Sequence, residues 1–205
     1  MNYTNLPSDE TISSVKGNLE QRNIKTHIVE KVEDALELIK SMIPEGTSIM
    51  NGSSTTLNEI GFVELLKSKN HKWNNLHDAI LEESDISKRE ALRQQSVFCD
   101  YFLVSVHAIT KDGQLIIASA SGSQIPSIAN TAKNVIFVAS TSKITEDLNE
   151  GLSRLKNHVF PLEDQRMKST GAQGSVIAKI LIFEQEPAFT GRSINMILIK
   201  GQHGF

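Results

Sequence analysis

At 205 residues, with 39% hydrophobic and 22% charged, the chain has an ordinary globular balance and enough length to bury a core unaided. Its formal net charge of -3, without a basic run or basic–aromatic stripe, argues against nucleic acid or an acidic membrane as partner. One cysteine, Cys99, excludes an internal disulfide framework and any multi-cysteine zinc or iron–sulfur site. Aromatics are only 5%, so the core must be mostly aliphatic.

Met1 to Ser14 is polar and acidic, without the apolar stretch of a signal peptide. Residues 8–22 read as a helix opened by Ser8 or Asp9, an N-terminal helical extension (residues 1–22) to a single α/β domain spanning 1–205. Lys25–Val29 reads as a short strand. Val32, Ala35, Leu36, Ile39 and Ile43 recur at helical spacing until Pro44-Glu45-Gly46 ends the pattern. A strand at Thr47–Met50 runs into the turn Asn51–Thr56. A helix from about Leu57 to Lys69 follows, bent near Gly61.

Residues 70–82 are the least regular and read as a covering loop, in which Trp73 is a lid aromatic or an anchor. Ser87 with Glu90 has capping-box spacing and predicts a helix to about Phe98. Tyr101–Val106 and Gln114–Ala118 read as a hairpin through Lys111-Asp112-Gly113. Ser121-Gly122-Ser123 opens a short helix with Pro126 in its first turn. Asn134–Ala139 is a buried strand, and Ile144, Leu148, Leu152 and Leu155 mark a helix with Glu146 and Asp147 in its first turn. After a polar connection, Ala178–Glu184 and Ser193–Lys200 read as an antiparallel pair. Helices alternating with two-sided apolar strands predict a Rossmann-like α/β fold: a mixed, mainly parallel sheet with helices on both faces. The longest apolar runs, such as Lys179–Phe183, are too short to span a bilayer, and a cytoplasmic protein is expected.

Open α/β sheets bind ligands beyond the carboxyl ends of their strands, and two Gly/Ser turns fall there. In the first, Gly52 permits close backbone approach, while Ser53, Ser54 and Thr55 offer hydroxyls and a helix start offers N–H groups to an anion. Ser54 or Thr55 could equally be a plain helix cap. The second turn, Gly122, Ser123 and Gln124, carries the same two readings. His107 ends a strand and could transfer protons or be a hydrogen-bonded structural group. Lys143 and Arg166 are candidate anion partners, with solvated surface charge as the alternative. Glu150 and Arg154 read as a helix-surface ion pair. No Walker loop, G-x-G-x-x-G or G-x-S-x-G is present, His71 and His77 have no usual metal spacing, and Cys99 lacks a local base. No metal, cofactor or catalytic residue is named on these grounds.

The order of segments has a further content. Ser96–Ser105, Ala108–Leu115 and Lys133–Val138, then Ser142-Lys143-Ile144 with Asp147-Leu148, Arg154, and Pro161 with Arg166, resemble the lactate-utilisation (LUD) domain family. Asn51–Leu57 is similar to that family's Gly-Gly-Ser-x-Thr-Leu turn, and Ile197–Gly201 with Gly204-Phe205 to its ending; the likeness covers roughly residues 10–205. The resemblance implies a fold of the ribose-phosphate isomerase, glucosamine-phosphate deaminase and CoA-transferase group. It also implies a bacterial component of lactate use that takes a small anion (carboxylate, phosphate or CoA ester) and works beside iron–sulfur oxidoreductase subunits, with a homo-oligomer as a further expectation. An isomerase- or CoA-transferase-like enzyme and a non-catalytic assembly or regulatory subunit are the alternatives. The chain departs from many relatives in three places. Met167–Ser175 replaces a Cys-rich segment, so no cluster is held there. His107 stands where Asn is common, and Ile117–Gln124 replaces an Asp-Gly-x-Gly-x-Arg loop. The missing Arg leaves Lys143 and Arg166 as the expected cations.

Overall fold

A computed structural model describes residues 3–205; Met1 and Asn2, the start of the polar N-terminal segment, lie outside the described residues. Its centre is a six-stranded sheet, entirely parallel, in the order β1-β10-β7-β4-β2-β3. These strands are β1 (Ile24–Val29), β2 (Ser48–Asn51), β3 (Asn74–Asn75), β4 (Tyr101–Val104), β7 (Asn134–Ser140) and β10 (Ser193–Ile199). A second sheet of four strands has the order β8-β5-β6-β9, from β5 (Ala108–Thr110), β6 (Leu115–Ser119), β8 (Ile144–Thr145) and β9 (Lys179–Phe183).

Alternation along the strands sets the layers, because successive side chains leave a strand on opposite faces. Val135, Phe137 and Ala139 of β7 join Val15 and Leu19 of α1 (Asp9–Gln21) and Leu115, Ile117 and Phe183 of the second sheet. Ile136 and Val138 face the other way. They meet Ala35 and Ile39 of α2 (Val32–Met42), Leu57 of α3 (Thr55–Glu59), and Phe62 and Leu66 of α4 (Phe62–Lys67). The outer face of the second sheet, through Ala108 and Ile116, packs on Leu155 and Val159 of a long helical run. The α/β architecture expected from the alternating pattern is present, but the antiparallel pairings belong to a second sheet.

Four local expectations are corrected. Tyr101–Val106 does not pair with Gln114–Ala118: the chain leaves the central sheet after Val104, and the hairpin is formed by β5 with β6. Ala178–Glu184 and Ser193–Lys200 are not partners either. β9 closes on β6, while β10 inserts between β1 and β7, where its two-sided apolar run Ile194–Ile199 is buried. Residues 70–82 are not a loop: α5 (Leu76–Glu82) starts there with Asn75 as its cap, its side chain accepting from His77 N–H at 3.3 Å. Trp73 is an anchor, stacked on His71 and donating from Nε1 to Ile43 O at 3.1 Å. The next helix, α6 (Ile86–Gln95), is capped by Asp85 rather than Ser87, since the Asp85 carboxylate accepts from Lys88 N–H at 3.0 Å.

Downstream, Ile144 and Thr145 are a short strand, and α7 (Leu148–Arg154) is capped by Asp147. The polar connection before β9 is confined to residues 170–178. α7 runs through a π-helical turn, Leu155–Val159, into α8 (Phe160–Ser169). Pro161 has no N–H to return to Asn157 O, which accounts for the widened turn just before it. The π-turn at Ser127–Thr131, after the second Gly/Ser segment, is held at its end by Arg192. Its guanidinium donates to the carbonyls of Ser127, Ile128, Ala129 and Ala132 and pairs with buried Glu186 at 3.0 Å. Among the described residues, no helix is long and apolar enough to cross a membrane.

Candidate functional site

β2, β4 and β7 lie side by side, and the segments that leave their carboxyl ends meet in a cleft of about 700 Å³. Of the residues singled out by sequence, Gly52, Ser53, Ser54, Thr55, His107, Ser123, Gln124, Lys143 and Arg166 line this cleft. Gly122 does not. It turns away at φ +87°, against the Lys179 side chain.

The first turn leaves β2 with Gly52 N–H donating to Leu103 O at 2.9 Å. Glycine stands here for space rather than for dihedral freedom: a β-carbon would lie 2.4 Å from Gln124 Oε1 and 3.1 Å from Val104 Cγ2. Ser54 accepts from Leu57 N–H at 3.2 Å and caps α3, so the capping reading of this turn is realised. In the second turn, Gly122 N–H donates to Ser119 Oγ and Ser123 N–H to Ser121 Oγ. Gln124 ties the two turns together, donating from Nε2 to Ala118 O at 3.1 Å while its Oε1 overlies Gly52. Several N–H groups that could have faced an anion are therefore already used within the turns.

The cationic group is supplied from elsewhere. Lys143 follows β7 and is only 2% exposed. Its ammonium donates to Thr56 Oγ1 at 3.1 Å, Ser105 Oγ at 3.1 Å and Val106 O at 3.2 Å, all of which line the cleft. These acceptors are neutral, and among the described residues no carboxylate pairs with Lys143. Burial first, and then the charge of Arg154, bring its pKa down to about 7, against a smaller opposing pull from Glu59.

The segment after β10 packs on Thr56, one of the acceptors of this amine. Gly201 O accepts from Ser140 Oγ at 2.8 Å, and Gly204 N–H donates to Glu59 Oε2 at 2.8 Å. Phe205 thereby reaches the cleft wall.

His107 lies between β4 and β5. Ala118 N–H donates to its Nδ1 at 3.0 Å, which leaves Nε2 to carry the proton of a neutral ring. Desolvation, with the charges of Lys143 and Arg154, lowers its pKa to about 3. At neutral pH it is thus a hydrogen-bond donor and not an acid that cycles its proton.

Arg154 was not a surface partner for Glu150. It is 1% exposed, donates from Nη1 to His107 O, and among the described residues its Nε has no partner. Glu150 instead accepts from Glu146 N–H at 2.6 Å. Arg166 does line the cleft, but both oxygens of Glu163 hold it at 2.7 Å, so its charge is already matched. Cys99 is buried away from the cleft and its pKa is pushed up to about 12, which makes it an inert thiol.

Sequence reasoning missed Thr56 and Ser105 as partners of Lys143. Thr56 belonged to the turn already flagged, and Ser105 to a strand end, but only their convergence on one amine gives them a role. His77, which contacts Asn51 O through Nε2 at 3.1 Å, is a further cleft residue. No group of three or more His, Cys, Asp or Glu side chains is placed to hold a metal ion among the described residues.

This geometry can be set beside known proteins. No curated protein matches the chain. A DUF162 family protein from Deinococcus radiodurans has a similar crystal structure: TM-score 0.56 at 10% identity, covering 96% of this chain and 100% of that one. A weaker likeness, too low to bear on the fold, is to eIF2B delta from Chaetomium thermophilum: TM-score 0.35, 12% identity, 70% of this chain and 55% of that one. The family model of the LUD domain matches residues 12–204, which takes in both sheets and every residue of the cleft named above except Phe205. The chain belongs to the LUD domain family.

Proposed function

We propose that this LUD domain binds a small organic anion, a carboxylate or phosphate, in the cleft at the ends of β2, β4 and β7. The observation that carries this reading is Lys143: a buried amine that lines the cleft, held by neutral acceptors and, among the described residues, paired with no carboxylate. A buried cation without a counter-charge is a standing electrostatic deficit, and an anion entering the cleft relieves it. His107 adds a neutral N–H donor, and the hydroxyls of Ser53, Thr55 and Ser123 add adaptable partners elsewhere on the lining. Arg166 contributes less, since Glu163 occupies its fork.

The family's link to lactate use makes two-carbon to four-carbon hydroxy and oxo acids the first ligands to try, with iron–sulfur oxidoreductase subunits as proposed partners in the cytoplasm. General-base catalysis of the isomerase kind is not part of the proposal. Glu163 is the carboxylate that lines the cleft among the described residues, and Arg166 engages both its oxygens.

Calorimetric titration with lactate, pyruvate, ribose 5-phosphate and an acyl-CoA ester tests the reading. One class should give saturable heat, and Lys143→Met should weaken it by about tenfold or more, the loss of one charge-assisted contact. Absence of heat from every class would overturn it.

A further inference from the structure

We infer that the Lys143 amine binds its ligand covalently: the cleft takes an anionic aldehyde or ketone, and Nζ attacks the carbonyl carbon to form an imine. This rests on the reading of the cleft as an anion site and narrows its ligand class.

Three features of the geometry converge on it. First, the amine is removed from water and held by Thr56 Oγ1, Ser105 Oγ and Val106 O, a set without a carboxylate to keep it protonated. A desolvated lysine next to a second cation is the arrangement that turns an ammonium into a nucleophile. Second, that cation is present. Arg154 is buried on α7 and anchored to the neutral carbonyl His107 O, and its charge is the second cause, after burial, that lowers the Lys143 pKa. The other titratable groups that face the amine are Glu59 from α3, whose charge opposes this effect, His107 between β4 and β5, and His158 in the π-turn. Both histidines have lowered pKa values, His107 to about 3, which disfavours positive charge on either ring. Third, hydroxyls sit where imine formation needs them. Thr56 and Ser105 each place an oxygen 3.1 Å from Nζ, close enough to pass a proton between nitrogen and the carbonyl oxygen.

The step balances without an added reagent. The neutral amine's lone pair forms the C–N bond as the C=O π pair moves to oxygen. A proton passes from nitrogen to that oxygen through the hydroxyls, giving a carbinolamine. The C–O bond then breaks with a second proton from nitrogen, releasing water and leaving C=N. The amine's low pKa matters here because a lysine at its ordinary value is almost wholly protonated at neutral pH.

The test is reductive trapping on the intact chain, read by peptide mass spectrometry. With pyruvate and cyanoborohydride, Lys143 should gain a carboxyethyl group at pH 7 about tenfold faster than exposed lysines such as Lys88. With formaldehyde in place of pyruvate, Lys143 should be half-maximally methylated near pH 7. Arg154→Met should move that midpoint upward. Lys143 that stays unmodified while exposed lysines react, or reacts only in step with them, would overturn the imine. Calorimetry separates the two readings: anion binding without trapping rejects the imine and keeps the anion site. Formaldehyde reactivity at Lys143 with neither pyruvate trapping nor heat from any anion shows a reactive amine but overturns both readings.

Discussion

Lys143 and Thr56 are 87 residues apart in sequence, yet the lysine amine lies 3.1 Å from the threonine hydroxyl in the lining of the cleft. One arrives from the end of β7 and the other from the start of α3, so the contact reports the tertiary assembly of the site. Thr56→Val keeps the shape and deletes the acceptor. It should destabilise the protein by about 1–3 kcal/mol, the usual consequence of leaving a buried donor short of a partner. In a Lys143→Met background the same change should be close to neutral. A double-mutant cycle by urea denaturation reads the coupling directly.

The depressed pKa of Lys143 carries a pH dependence whose sign is fixed. Folded, the amine titrates near pH 7; unfolded, it returns to about 10.5. Between those values the unfolded chain binds the extra proton, so stability should rise with pH by up to about 1.4 kcal/mol per unit from this group. Lys143→Met should remove that slope. Urea midpoints of the two proteins at pH 7, 8 and 9 should converge as pH rises, and parallel curves would contradict the buried, unpaired amine.

At the acid end, His107 works in the same direction over another window. Its folded pKa of about 3 lies below the unfolded 6.5, so the neutral ring contributes stability that is present above pH 6.5 and lost as pH falls toward 3. His107→Asn retains a side-chain oxygen able to accept from Ala118 N–H but cannot be protonated. Relative to wild type, it should gain stability below pH 6, measurable as a smaller fall in thermal midpoint between pH 6.5 and pH 4.5.

Gly204 is required by both its conformation and its neighbour. Its φ is +64°, and a β-carbon would sit 2.3 Å from Thr56 Oγ1 and 3.1 Å from Thr56 N. Neither is the far end of a flexible chain, so Gly204→Ala must displace the segment that packs on Thr56. A loss of about 1–3 kcal/mol is expected from left-handed strain and overpacking together. Faster hydrogen exchange at residues 201–205 should accompany it. Gly46, also at positive φ but with nothing within 4 Å of the added carbon, is the control for strain alone.

By itself the sequence determined the α/β class, the bounds of α1 and α2 to within a residue or two, the bend between α3 and α4, and the strand-end location of the candidate residues. These follow from local rules: apolar spacing sets which face is buried, and caps such as Ser8, and Gly61 at the bend between α3 and α4, act within a few residues. The short motifs also carried the family likeness. Strand partners were another matter. Ala178–Glu184 and Ser193–Lys200 have the same apolar character, and adjacency suggested a pair, but which sheet each joins depends on what lies on its two faces. β10 is buried on both sides within the parallel sheet, whereas β9 leaves Lys179, Ile180 and Ile182 exposed at an edge.

The site divided along the same line. Residue type marked Gly52, His107 and Lys143 as capable of binding, but capability is local and charge balance is not. Arg166 and Arg154 look alike in sequence, each with a glutamate one helical turn before it. Only the folded chain places Arg166 in the fork of Glu163, and buries Arg154 beneath His107, away from Glu150. Whether a lysine is an exposed cation or a buried amine is a matter of desolvation. That is a property of everything packed around Lys143, and it comes from segments that are distant along the chain.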